Sequence, residues 1–225
     1  MKRIFGTVII ILMLFFVIFY KEIREQQILK KEVYKIYKMD INTEEIDMNI
    51  KSSGTSAKLE KIIKEYYKEL YDYQKEYNSI QFYNLCSSIF SLENLNNISI
   101  NSKNSVIELY NKRNDLSDKV IKIITDEYAI SLIENIELNK IYTKLYKNYT
   151  VTNDKKIIDE WKQSKEKDKL IYELTLKAID ILVNNRNSWF IQDNKIYFTN
   201  QIILNEYNDI VYKLNTQGGL NINGA

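Results

Sequence analysis

The stretch KLEKIIKEYYKELYDYQKEYNSI, residues 58–80, decides what kind of fold this chain adopts. Leu59, Ile63, Tyr66, Leu70, Tyr73, Tyr77 and Ile80 recur at alternating spacings of four and three. Those spacings place all of them on one side of a helix, with Lys and Glu filling the other sides. The pattern predicts a helix from about Ser56 to around Phe90, on the order of 50 Å long. Such length suits a bundle or hairpin coiled coil more than a compact globule.

The stretch SLENLNNISINSKNS, residues 91–105, follows and reads as a turn region because Asn and Ser compete with helix formation. Ser105 with Glu108 forms a candidate capping box for a second helix. Leu109, Leu116, Ile123 and Ile130 lie seven apart, with Val106 and Val120 beside them. The apolar pattern continues through Leu138, Ile141 and Leu145, with a bend expected near Asn135. Thr152 or Asn153 is positioned to cap a third helix, whose buried side reads as Ile157, Trp161, Ile171, Leu174, Ile179 and Leu182. Its middle, KQSKEKDK (162–169), reads as a solvated face.

The pattern changes at NNRNSWFIQDNKIYFTN, residues 184–200. A turn at Asp193-Asn194 pairs Ile191 with Ile196 and Trp189 with Phe198 on one face of a hairpin. Phe190 and Tyr197 fall on the other face. So short a hairpin needs support. A last helix from about Asn200, with Ile203, Tyr207, Ile210 and Leu214 at helical spacing, would provide it. Residues 217–225 read as a flexible tail.

Upstream of the seam, MDINTEEIDMNIKSSGTS (39–56) breaks the periodicity and reads as a linker. From Lys21 to Lys38 charge alternates with Ile23, Ile28, Leu29, Val33, Ile36 and Tyr37, as in a helix continuing from residues 1–20. There the run Ile4–Tyr20 is uncharged and mostly apolar. Its helical length of about 25 Å is at the short limit for a membrane span. No small-x-small cleavage site and no nearby Cys follows it, so it reads as an uncleaved signal-anchor. Lys2 and Arg3 before the run favour a body outside the membrane. Lys21, Arg24, Lys30, Lys31, Lys35 and Lys38 just after it oppose that orientation.

Composition narrows the chemistry. The chain has 225 residues, enough after the first segment for one ordinary domain with its own core. Net charge is +2 with Lys and Glu interleaved, which gives no case for a nucleic-acid partner. There is no His, so His-dependent catalysis and His-containing metal sites are excluded. Cys86 is the only thiol, so the chain holds no internal disulfide, and its apolar neighbours mark it as a buried hydrophobe. There is no Pro to interrupt the helices. The 18 Tyr fit an AT-rich coding bias, and most are read as core-edge residues.

No catalytic, cofactor or metal motif is present, and carboxylate pairs such as Glu65/Glu69 and Asp126/Glu127 read as solvated helix surface. The candidate interaction surface is aromatic: Trp189, Phe190 and Tyr197 on the hairpin, with Tyr67 and Tyr71 offset from the helical seam. Trp189 is expected to pack on the bundle. The sequence therefore predicts a mainly α fold: a membrane helix (1–20), a juxtamembrane helix and linker (21–55), and an elongated antiparallel helical bundle (56–216) with the hairpin at 189–198. The expected role is that of a single-pass, membrane-anchored component of a bacterial cell envelope. It would meet lipid through residues 4–20 and a protein or cell-wall partner through its helix faces, with no catalysis and no cofactor. The alternative is a membrane-tethered, sensor-like ligand-binding module.

Overall fold

The computed structural model describes residues 2–150, 155–193 and 195–222, and the side chains of these other than residues 2–12, 14 and 15. The chain is mainly helical, with one small antiparallel hairpin near the C-terminus. It divides into two compact units. Unit 1 comprises Met1–Lys75 and Lys122–Asp154, and unit 2 comprises Glu76–Ile121 and Lys155–Ala225.

Unit 1 is built on α1 (Lys2–Lys38), most of α2 (Gly54–Ser79), α6 (Asp126–Ser131) and α7 (Lys140–Thr150). Leu29, Val33 and Ile36 of α1 are buried, as are Leu59, Ile63, Tyr66 and Leu70 of α2. Residues 39–53 are irregular, as their composition predicts, yet they are fastened. The Glu60 carboxylate accepts the N–H of Lys51 at 3.0 Å and of Ser52 at 2.8 Å, and the Ser52 hydroxyl at 2.6 Å. Gly54 then opens α2 at φ +60, a conformation in which a Cβ is costly.

The second long helix departs from expectation. It ends at Ile123, and the chain turns before α6 and again before α7. Thr125 accounts for the first break. Its hydroxyl accepts from the Tyr128 N–H and donates to the Lys122 carbonyl, taking the place of helical backbone partners. In α7 the buried side is Tyr142, Tyr146 and Thr150, while Ile141 is exposed. The Tyr146 hydroxyl donates to the Ala129 carbonyl at 2.7 Å, so a ring with a polar tip fits this site where an aliphatic chain could not bond.

Unit 2 takes the end of α2, α3 (Phe82–Ile89), α4 (Leu92–Leu95), most of α5 (Ile100–Ile123), α8 (Lys155–Asn184), β1 (Trp189–Gln192), β2 (Lys195–Phe198) and α9 (Gln201–Thr216). The helix expected to reach Phe90 stops at Ser79, whose hydroxyl donates back to the Glu76 carbonyl at 2.7 Å. α5 starts at Ile100 and not after Ser105. Ile98 is buried and fixes the chain just before the start. The Ser99 N–H donates to the Ser102 hydroxyl, and Ser105 sits inside the helix, donating to the Asn101 carbonyl. The third helix buries Ile171, Leu174, Ile179 and Leu182 as its spacing predicts, but Ile157 and Trp161, expected on the same side, are only half-buried. Its expected caps, Thr152 and Asn153, lie outside the described residues.

The hairpin pairs Trp189 with Phe198, Phe190 with Tyr197 and Ile191 with Ile196, the register that its alternation predicts. Of the expected turn, Asp193 has φ 48 and Asn194 lies outside the described residues. Asn200 caps α9 by accepting from the N–H of Ile202 and Ile203. Residues 217–222, read from composition as a flexible tail, are packed. Leu220 and Ile222 are buried, and the Asn215 side chain bonds both the N–H and the carbonyl of Ile222.

Among the described residues, no helix is long and apolar enough to cross a membrane. Much of the run Ile4–Tyr20, expected to be such a span, falls on side chains outside the described ones. Of that run, Met13 and Phe16–Tyr20 are described, and all are exposed.

Candidate functional site

The five aromatic residues singled out from sequence do not form one site. Trp189 is buried at 4% exposure, and its Nε1–H donates to the Leu182 carbonyl at 2.8 Å. The Arg186 guanidinium lies 4.1 Å from the centre of its ring. Trp189 therefore holds the hairpin to α8. Phe190 and Tyr197 face the other way, are exposed, and stack with ring centres 5.6 Å apart. These two are the exposed rings of the hairpin, while Phe198 is half-buried.

Tyr67, offset from the seam and offered as part of a candidate interaction surface, is buried. Its hydroxyl donates to the Tyr149 carbonyl, and its ring meets Tyr37, Tyr66 and Tyr71 at 5.0–5.7 Å. Burial raises the pKa of its phenol far above the ordinary tyrosine value. Tyr71 is half-buried, and its hydroxyl donates to the Ile36 carbonyl at 3.3 Å. It lines a cleft of about 210 Å³ with Met39, Ile41, Ile46 and Met48. Single-helix periodicity counts only one apolar face, whereas α2 is covered on more than one side in unit 1.

The strongest polar constellation lies in unit 2, in the segment read as solvated. Asp168 is 2% exposed. It accepts from Arg113 Nε at 2.6 Å, from the Tyr77 hydroxyl at 2.8 Å and from the Tyr83 hydroxyl. Arg113 also donates from Nη1 to the Tyr77 carbonyl, and its guanidinium lies 3.7 Å from the centre of the Tyr77 ring. Burial pushes Tyr77 up to about 12, so this phenol stays protonated and donates at neutral pH. Every partner of the carboxylate is thus a donor, as a buried anion requires. The signal that could have found it is weak: one Asp in line with the apolar side of α8, three residues before Ile171.

Tyr77 also lies beside a cleft of about 240 Å³ lined by Asn78, Glu160, Trp161 and Ser164. The Tyr77 and Trp161 rings meet edge to face at 5.0 Å, and Tyr77 Oη is 3.0 Å from Ser164 Oγ. This opening offers an indole, two hydroxyls, a carboxamide and a carboxylate. Among the described residues, no group of three or more Cys, Asp or Glu could hold a metal ion. Compared with known proteins, the chain matches no family model, no curated protein and no solved structure.

Proposed function

We propose that the chain is a single-pass, membrane-anchored helical-bundle protein of a bacterial cell envelope, acting as a structural or protein-interaction component without catalysis. The observation that carries the reading is on α1. Phe16, Val17, Ile18, Phe19 and Tyr20 are 72%, 63%, 63%, 64% and 65% exposed. At ~100° per residue, five successive side chains point in every direction around a helix, so the protein covers none of its sides. A helix that is apolar all round is at home in a core or in lipid. The uncharged run Ile4–Tyr20 offers about 25 Å of such helix. The same α1 carries Leu29, Val33 and Ile36 into the core of unit 1, so anchor and unit share one helix. The basic tail before the run favours an extracytoplasmic body.

Membrane fractionation tests the anchor. Full-length protein should resist alkaline carbonate extraction, and removal of residues 1–20 should release it. Recovery of the full chain in the soluble fraction overturns the reading. Protease shaving of intact cells should digest the body, and protection would place it inside.

A second reading, a tethered ligand-binding module, is favoured by the cleft at Tyr77 and Trp161. There, aromatic and hydroxyl groups share one opening, and Tyr77 links it to the buried Arg113–Asp168 pair. Saturable quenching of Trp161 fluorescence by a small solute would favour it over the first.

A further inference from the structure

Helix α1 carries Lys21, Arg24, Lys31, Lys35 and Lys38, all exposed. At ~100° per residue these five fall within an arc of about 100°, and no acidic residue of α1 shares it. The acids of α1 lie outside that arc, and only Glu32 reaches into it, at Lys35. Glu32 is buried and bonded to Lys35 and Lys64, Glu25 accepts the Ser53 N–H, and Glu22 is half-buried. Lys38 lies 4.6 Å from the centre of the Tyr34 ring. Among the described residues, Lys21, Arg24, Lys31 and Lys38 form no ion pair.

A row of exposed cations is ordinarily a solvated helix face. Two features set this one apart. Of its five cations only Lys35 pairs with an acid, Glu32, among the described residues, and the stripe begins at the residue after the uncharged run. We infer that the stripe binds the phosphates of anionic phospholipid headgroups, a role that rests on the membrane-anchored reading above. Lys21 and Arg24 stand ~1.5 and ~6 Å along the helix beyond Tyr20. Both are within the screening length of about 8–10 Å at the bilayer surface. Lys31, Lys35 and Lys38 follow at ~17, ~23 and ~27 Å, so they contribute more as the helix leans toward the surface. An acidic protein would match the charge equally well. Continuity of the stripe with the apolar run favours lipid, because immersing that run brings the first two cations to headgroup depth.

The test uses the full chain reconstituted into vesicles of phosphatidylcholine alone, or with about one-third phosphatidylglycerol. Flotation is scored first, and a chain that floats with neither composition overturns the anchor and the stripe together. Lysines are then acylated in water and located by mass spectrometry. Lys21 should be protected several-fold in the anionic vesicles relative to the neutral ones, Lys31 less and Lys38 least. High salt should abolish the effect, and Lys162 of unit 2 should not respond. Arg24→Gln should weaken the protection of Lys21. Equal labelling of Lys21 in both compositions, with flotation intact, overturns the stripe and leaves the anchor standing. Protection that appears only on adding poly-glutamate also overturns it, in favour of an acidic protein partner.

Discussion

Arg113 and Asp168 form a buried ion pair inside unit 2, with Nε 2.6 Å from Oδ2 and side-chain exposures of 9% and 3%. Removing one partner leaves the other charge without compensation in a site closed to water. Asp168→Ala should therefore cost about 3–5 kcal/mol. The double variant Arg113→Met/Asp168→Leu should lose much less than the two single changes summed, because no buried charge remains. Urea unfolding followed by the fluorescence of Trp161 and Trp189, the chain's two tryptophans, reports on this unit. An unchanged midpoint for Asp168→Ala would mean the pair is not structural.

Unit 1 should lose stability in acid through Glu60. Burial raises this carboxyl's pKa, but bonds from Lys64, Ser52 and Lys51 outweigh it, and the net shift is below the ordinary 4.5. A depressed value means that the unfolded chain binds the proton more readily. The stabilisation is full above about pH 4.5 and is lost as pH falls through the folded value. Thermal melts by circular dichroism from pH 7 to pH 3 should show that loss. Glu60→Gln should start less stable and show a shallower acid limb, and an acid limb identical to the parent's would reject the assignment.

The hairpin separates a structural aromatic from two exposed ones. Trp189→Ala removes a buried ring and the bond to the Leu182 carbonyl, and should cost about 3–5 kcal/mol. Phe190→Ala and Tyr197→Ala each lose one side of a surface stack and should shift stability by roughly 0.5–1.5 kcal/mol at most. Equal destabilisation by all three in urea would show that the outer face is also buried.

Cys86 should be inert in the folded protein. It is fully buried, and burial pushes its thiol up to about 12, so neither access nor thiolate is available at neutral pH. Alkylation by iodoacetamide should follow the urea unfolding curve of unit 2. Rapid labelling without denaturant would show that this core opens locally.

The sequence reached furthest where one element meets one surface. The alternation at Trp189–Phe198 determined the hairpin register, since slipping by one residue would move Trp189 and Ile196 out of the core. Ile203, Tyr207, Ile210 and Leu214 located α9 in the same way, as did the inward residues of α8. Reading failed where helix ends are chosen by short polar side chains. Ser79 and Ser99 have other Ser and Asn residues nearby that could cap as well, while Thr125 stands within the apolar run Val120–Ile130, whose seven-residue spacing hides the break made by its bonds to Lys122 and Tyr128.

The polar centre of unit 2 was out of reach for a different reason. The sequence by itself determined a helical chain with an apolar leader, one hairpin and no His chemistry, because periodicity and composition are local properties. Only the tertiary structure decided that Asp168 is buried and Tyr67 covered. A charge can enter a core when donors converge on it, and Tyr77, Tyr83 and Arg113 come from three helices, 55–91 residues away along the chain. No window of sequence contains that convergence. The cationic stripe of α1 is legible as spacing alone, but the burial of Glu32 between Lys35 of the stripe and Lys64 of another helix is not.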